Sequence, residues 1–136
     1  MTPVKSIDAL LQQVESTDAG VRHAAALELM DRGDARAVPV LWRAINRPEN
    51  VNHRGTLVHA LSAFDQSEHL ESLVSLALTG NFEVSMGAFA ILEDNTAPTG
   101  SLERIRAQLA QHPVESLTQE HHVEALEALL ELLQTE

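Results

Sequence analysis

Three apolar positions return in one register three times along this chain. Val38, Leu41 and Ile45 are followed 32 residues on by Leu70, Leu73 and Ala77, and after another 32 by Leu102, Ile105 and Leu109. A second set runs ahead of each. It reads Val21, Arg22, Ala25 and Leu29, then His53, Arg54, Leu57 and Leu61, then Val84, Ser85, Ala88 and Leu92. The last set comes one residue early, so the third repeat has one extra residue in its turn at 94–97. Steps of three and four place each set on one helical face. A fixed period of two helices means that no repeat buries its own apolar face, so each must stack on its neighbours.

Caps and breakers divide the rest. Ser6 or Thr2 can cap a first helix at about 6–15, where Ile7, Leu10 and Val14 match Val38, Leu41 and Ile45 at a shift of 31. Asp18 opens the next helix, Gly33 ends it and Asp34 is placed to cap its partner, with Pro39 in the first turn. Further helices are predicted over about 51–64, 68–79, from Asn81 to about 93, and over 101–111 with Pro113 as a stop. Thr118 is placed to cap the last. The expected organisation is one domain over 1–136: a capping helix at 1–16, repeats at 18–47, 49–79 and 81–112, and a capping helix at 117–135.

The first repeat carries a recognisable pattern in Asp18, Val21, Arg22, Ala25, Leu29, Gly33, Ala37, Val38, Pro39 and Leu41. It resembles a HEAT-like repeat of the short type found in bilin lyases. A period of 32 is shorter than the roughly 40–47 residues of ordinary HEAT units. The resemblance implies an all-α fold: a short right-handed α-solenoid of about eight helices, with half units at both ends. It specifies architecture and no activity.

Composition narrows the classes. Aromatic residues make up 3% of the chain and Tyr is absent, which suits close helix stacking better than a β-rich fold. There is no Cys, so thiol chemistry and disulfides are excluded. No run approaches the roughly 20 apolar residues of a membrane span, and the start lacks a signal-peptide core, so a cytoplasmic location is expected. The net charge of −11 is uneven. Residues 1–54 hold seven basic and seven acidic side chains, whereas 55–136 hold only Arg104 and Arg106 against thirteen acids. Such a surface repels phosphate backbones and attracts basic partners.

Enzymatic readings find little to stand on. Deoxyhypusine hydroxylase, a HEAT-like enzyme, holds di-iron with His-Glu pairs; here the matching place reads Val21-Arg22-His23-Ala24, without the carboxylate. HEAT-like DNA glycosylases offer DNA a basic face with aromatics, and this chain has one Trp and a surplus of acid. No P-loop, H-E-x-x-H or G-x-S-x-G pattern occurs. His121 and Glu124, beside His122, are the one weak candidate for metal ligation, and two ligands fall short of a zinc site. The simpler expectation is a solvated histidine pair, with no cofactor. An accessory lyase or metal-dependent enzyme using this His-rich surface is the alternative to a binding role.

The last helix places Glu120, Glu124, Glu127 and Glu131 on one stripe, opposite Val123, Ala125, Leu126, Leu129, Leu130, Leu132 and Leu133. A terminal cap with a polar outer face explains this. A homodimer through spare leucines such as Leu129 and Leu132 is the alternative. In HEAT-type stacks the second helix of each repeat lines the concave side. The resemblance therefore implies a partner face through Arg36, Pro39, Arg43 and Arg47, then Glu68, Glu71, Ser75 and Glu103, with Trp42 bordering it as packed core or hot spot. The expected function is non-enzymatic binding of another protein, a basic one on the charge argument, as an inhibitor of immunity type or an adaptor, without nucleic acid or membrane.

Overall fold

The computed structural model describes residues 5–51, 53–66, 68–95, 101–111, 117 and 119–134, with the backbone alone at 95, 101, 102, 133 and 134. Among them all regular structure is helical. Ser6 opens α1 (Ile7–Val14) by accepting the Ala9 N–H at 3.1 Å. Asp18 opens α2 (Ala19–Arg32) by accepting from Val21 at 3.1 Å. Both satisfy an N–H that a helix start leaves unpaired. Gly33 closes α2 in the left-handed region, φ 64°, which a Cβ would strain. There follow α3 (Ala37–Ile45), a 3-10 turn at Pro48–Asn50, and α4 (Gly55–Leu61). The remaining helices are α5 (Leu70–Thr79), α6 (Phe82–Asn95), α7 (Ser101–Leu109) and α8 (Glu120–Gln134).

The helices gather into two compact units, residues 1–64 and 65–136. The division falls inside the second predicted repeat, between its two helices. It also follows the charge. Residues 55–64 carry no Asp, Glu, Lys or Arg, so the N-terminal unit is balanced and the C-terminal unit carries the whole excess.

Each unit is built on one helix with three neighbouring helices. In the N-terminal unit α3 packs against α1, α2 and α4, and buries Ala37, Val40, Leu41, Trp42, Ala44 and Ile45. In the C-terminal unit α5 packs against α6, α7 and α8, and buries Leu70, Leu73, Val74, Leu76, Ala77 and Leu78. Their outward positions, Pro39 and Arg43 on α3 and Glu71, Ser72, Ser75 and Thr79 on α5, stay exposed. Each buried leucine or valine contributes about 1.5–3 kcal/mol by leaving water. Val38, expected in the core stripe, is only half-buried.

Polar groups fasten these layers. Arg22, from the repeat motif, is 3% exposed and its guanidinium donates to the Ser16 carbonyl at 3.0 Å. Burial pushes the Arg54 guanidinium, its counterpart one period on, below the usual arginine range. In the C-terminal unit the buried Ser85 hydroxyl donates to the Ala77 carbonyl at 2.6 Å, tying α6 to α5. Asn81 caps α6 by accepting the Val84 N–H at 2.9 Å.

Several local expectations change. Helix α4 is shorter than predicted, and three-residue turns flank it, His53 N–H donating to Asn50 O before it and Ala63 and Phe64 N–H to Ala60 and Leu61 O after it. The buried Asn50 amide donates to the Ala44 carbonyl at 2.8 Å, and the Ser62 hydroxyl donates to His59 O at 2.6 Å. Asp34 is not the N-cap of α3. It accepts the Arg36 N–H at 3.0 Å, one turn ahead of the helix, and Arg36 occupies the cap position. The extra turn residues Thr96 and Ala97, the stop at Pro113 and the cap at Thr118 lie outside the described residues.

Candidate partner-binding surface

On the N-terminal unit Arg36 and Arg43 are exposed and Arg47 half-buried, and all three are already answered. Arg36 is held by Asp34 at 2.7 Å, with Asp8 at 4.0 Å. The hydrogen bonds from Arg36 hold the Asp34 carboxyl down at about 2. Glu15 serves two arginines at once. Its carboxylate lies 3.0 Å from Arg43 and 3.7 Å from Arg47, and its carbonyl accepts from Arg47 at 3.1 Å. Exposed pairs of this kind contribute about 0–1 kcal/mol each. Their main effect is electrostatic: three arginines are matched by three carboxylates, so this patch presents little net charge. Pro39 is exposed beside them.

Trp42 does not share that surface. It is 7% exposed, on the helix that the whole N-terminal unit surrounds. A buried indole fills volume and offers a partner no contact area, so of the two sequence readings the packed one describes its position.

On the C-terminal unit Glu68, Glu71, Ser75 and Glu103 are all exposed, on α5, its lead-in and α7. Helices α5 and α7 pack together, and Gln108 of α7 donates to the Glu71 carbonyl at 2.8 Å. Glu71 and Arg104 stand 3.8 Å apart. They separate two shallow clefts, one of about 390 Å³ toward Glu68, His69 and Ser72, the other of about 380 Å³ toward Ala107, Gln108 and Gln111. The surface is therefore indented and polar, with Glu68, Glu71 and Glu103 set against Arg104 and Arg106 of α7, a small excess of acid. Its glutamates can accept Lys or Arg side chains.

The histidine pair is not solvated as the sequence suggested. His122 is 8% exposed, and both His121 and His122 approach the Gly80 carbonyl, at 3.0 and 2.5 Å through Nε2. A carbonyl oxygen only accepts, so both rings carry their proton on Nε2. The rings stack edge-on at 4.2 Å. These histidines thus fasten α8 to the end of α5, and Glu124 is exposed away from that contact. Among the described residues no three His, Asp or Glu side chains stand together as metal ligands. Nothing in a separation of 41 or 42 residues announces the contact. The one local hint is Gly80, where a Cβ would meet Val84 at 2.4 Å and the Leu76 carbonyl at 2.7 Å.

The four glutamates of α8 are exposed as expected. Leu129, expected as a spare leucine, is buried at 1%, and the exposed leucine is Leu130.

Stacked helix pairs with a short repeat and outward polar faces define a helical-repeat protein. The comparison with known families agrees: the chain matches HEAT repeats over residues 7–93, well over half its length. It belongs to the HEAT-repeat family, whose members commonly serve as protein-interaction modules. No curated protein and no solved structure matches the chain. No helix among the described residues is long and apolar enough to cross a membrane.

Proposed function

We propose that this chain binds a basic protein through the acidic α5–α7 surface of its C-terminal unit. The observation that carries this reading is the charge: thirteen acids against two arginines in residues 65–136, with Glu68 and Glu71 lining open clefts and Glu103 exposed on α7. Complementary charge steers encounter and sets register more than it adds affinity. The N-terminal patch of Arg36, Pro39, Arg43 and Arg47, neutral through its own ion pairs, offers such a partner no net attraction. Binding needs no catalytic group and no cofactor.

The specific form of this role is an inhibitor of immunity type that neutralises a basic partner such as a toxin nuclease, or an adaptor that holds such a partner in place. The test is capture of the tagged chain's partner from its host lysate at low and then moderate salt. A single stoichiometric basic protein that salt releases supports the reading. A complex that abolishes the partner's activity marks an inhibitor, and one that preserves it marks an adaptor. A salt-indifferent partner without a basic surface, or a bound chromophore, overturns it.

A further inference from the structure

The structure points to a second docking surface, on α6 and α8, independent of the α5–α7 clefts. The shared Gly80 carbonyl sets its geometry. It brings His121 and His122, at the start of α8, beside the start of α6. From there the two helices run side by side in one direction. Phe82 meets His121 edge-on at 6.0 Å, and two turns further Phe89 and Glu93 line one groove with Ala128, Glu131 and Leu132. The groove measures about 310 Å³.

Along α6, Phe82, Met86 and Phe89 follow the i, i+4, i+7 spacing of one stripe. Phe82 is 61% exposed and Met86 48%. Two of the chain's three phenylalanines therefore stand on this stripe. Exposed large apolar side chains in one row beside a groove mark an interaction site more than single scattered ones do. Helix-in-groove recognition uses this spacing.

Charge identifies the occupant. Neither α6 nor α8 contains a Lys or Arg, and exposed Glu83, Glu93, Asp94, Glu124, Glu127 and Glu131 edge the stripe and groove. A second copy of this chain would set acids against acids. We propose that the α6–α8 groove docks an amphipathic helix of a partner protein, its apolar stripe flanked by Lys or Arg.

The test uses the full chain and two dye-labelled synthetic helical peptides of about 18 residues, long enough to form a marginal helix. Both carry leucines at i, i+3, i+4 and i+7; one is flanked by Lys, the other by Glu. Fluorescence anisotropy should show the Lys peptide binding and the Glu peptide not. Phe82→Ser with Met86→Ser, at exposed positions, should weaken the Lys peptide about tenfold or more. Glu71→Lys, on the other surface, should leave this binding within about twofold. Equal binding to the serine variant would reduce the effect to attraction of any polycation and overturn the proposal. No binding of the Lys peptide overturns it too. So does a dimer in sedimentation that Met86→Glu dissolves, which would make the occupant a second copy. Loss of lysate capture by Glu71→Lys with peptide binding intact separates this surface from the α5–α7 one.

Discussion

His122 Nε2 lies 2.5 Å from the carbonyl oxygen of Gly80, which joins the start of α8 to the end of α5 across 42 residues of sequence. The contact is buried, and the glycine is closed in by Val84 and the Leu76 carbonyl. His122→Ala removes a buried donor and leaves the carbonyl to His121, so a loss of about 1–3 kcal/mol is expected. Gly80→Ala forces a Cβ against backbone and should cost about 1–3 kcal/mol. Denaturant unfolding measures both. An unchanged midpoint for either would mean that α8 docks without this contact.

Asp34 supplies the pH dependence. Hydrogen bonds from the Arg36 side chain and backbone, then the guanidinium's charge, lower its carboxyl from 3.8 to about 2. A carboxyl depressed in the folded state contributes stability above its ordinary value, and that contribution fades as pH falls through about 2. The group is on the surface, so salt weakens the effect. Carboxyl NMR titration should find the Asp34 midpoint near 2, and Arg36→Ala should return it toward 3.8. A midpoint already near the ordinary value in the unaltered chain would show that the pair does not persist in solution.

Trp42 separates packing from recognition. Its indole is buried on α3, so Trp42→Ala should destabilise the N-terminal unit by about 3–5 kcal/mol. Trp42→Phe keeps most of the volume. It should leave partner affinity unchanged while shifting the unfolding midpoint. Loss of affinity in the phenylalanine variant with the fold intact would make Trp42 a hot spot after all.

How far the residues foretold this can be judged at particular places. The recurrence of Val38, Leu41 and Ile45 foretold the helix pairs, because apolar spacing reports one face of a helix directly. It understated α3 and α5, each of which buries six residues. A stripe argument assumes one covered face, and these helices have three neighbouring helices each. Caps at Ser6, Asp18 and Asn81 were readable because a capping side chain acts within three residues of itself. The shortening of α4 was not, since the turns that flank it close on backbone carbonyls that the pattern of side chains does not reveal. The acids of the candidate surface were found at their positions. Asp34 answers Arg36 from two residues away, but that Glu15 would answer Arg43 and Arg47 needed the approach of α1 to α3, and the Gly80 contact needed the fold itself.

The central claim, that the acidic α5–α7 surface holds a basic protein, is tested most directly by one comparison. The affinity of the captured partner is measured for the unaltered chain and for Glu71→Lys with Glu103→Lys, across a salt series. The account predicts weakening by about tenfold or more at low salt, a difference that shrinks as salt rises. Circular dichroism should show the same helix content in both. Equal affinity at every salt concentration, with the fold intact, would contradict it and move the partner to another surface.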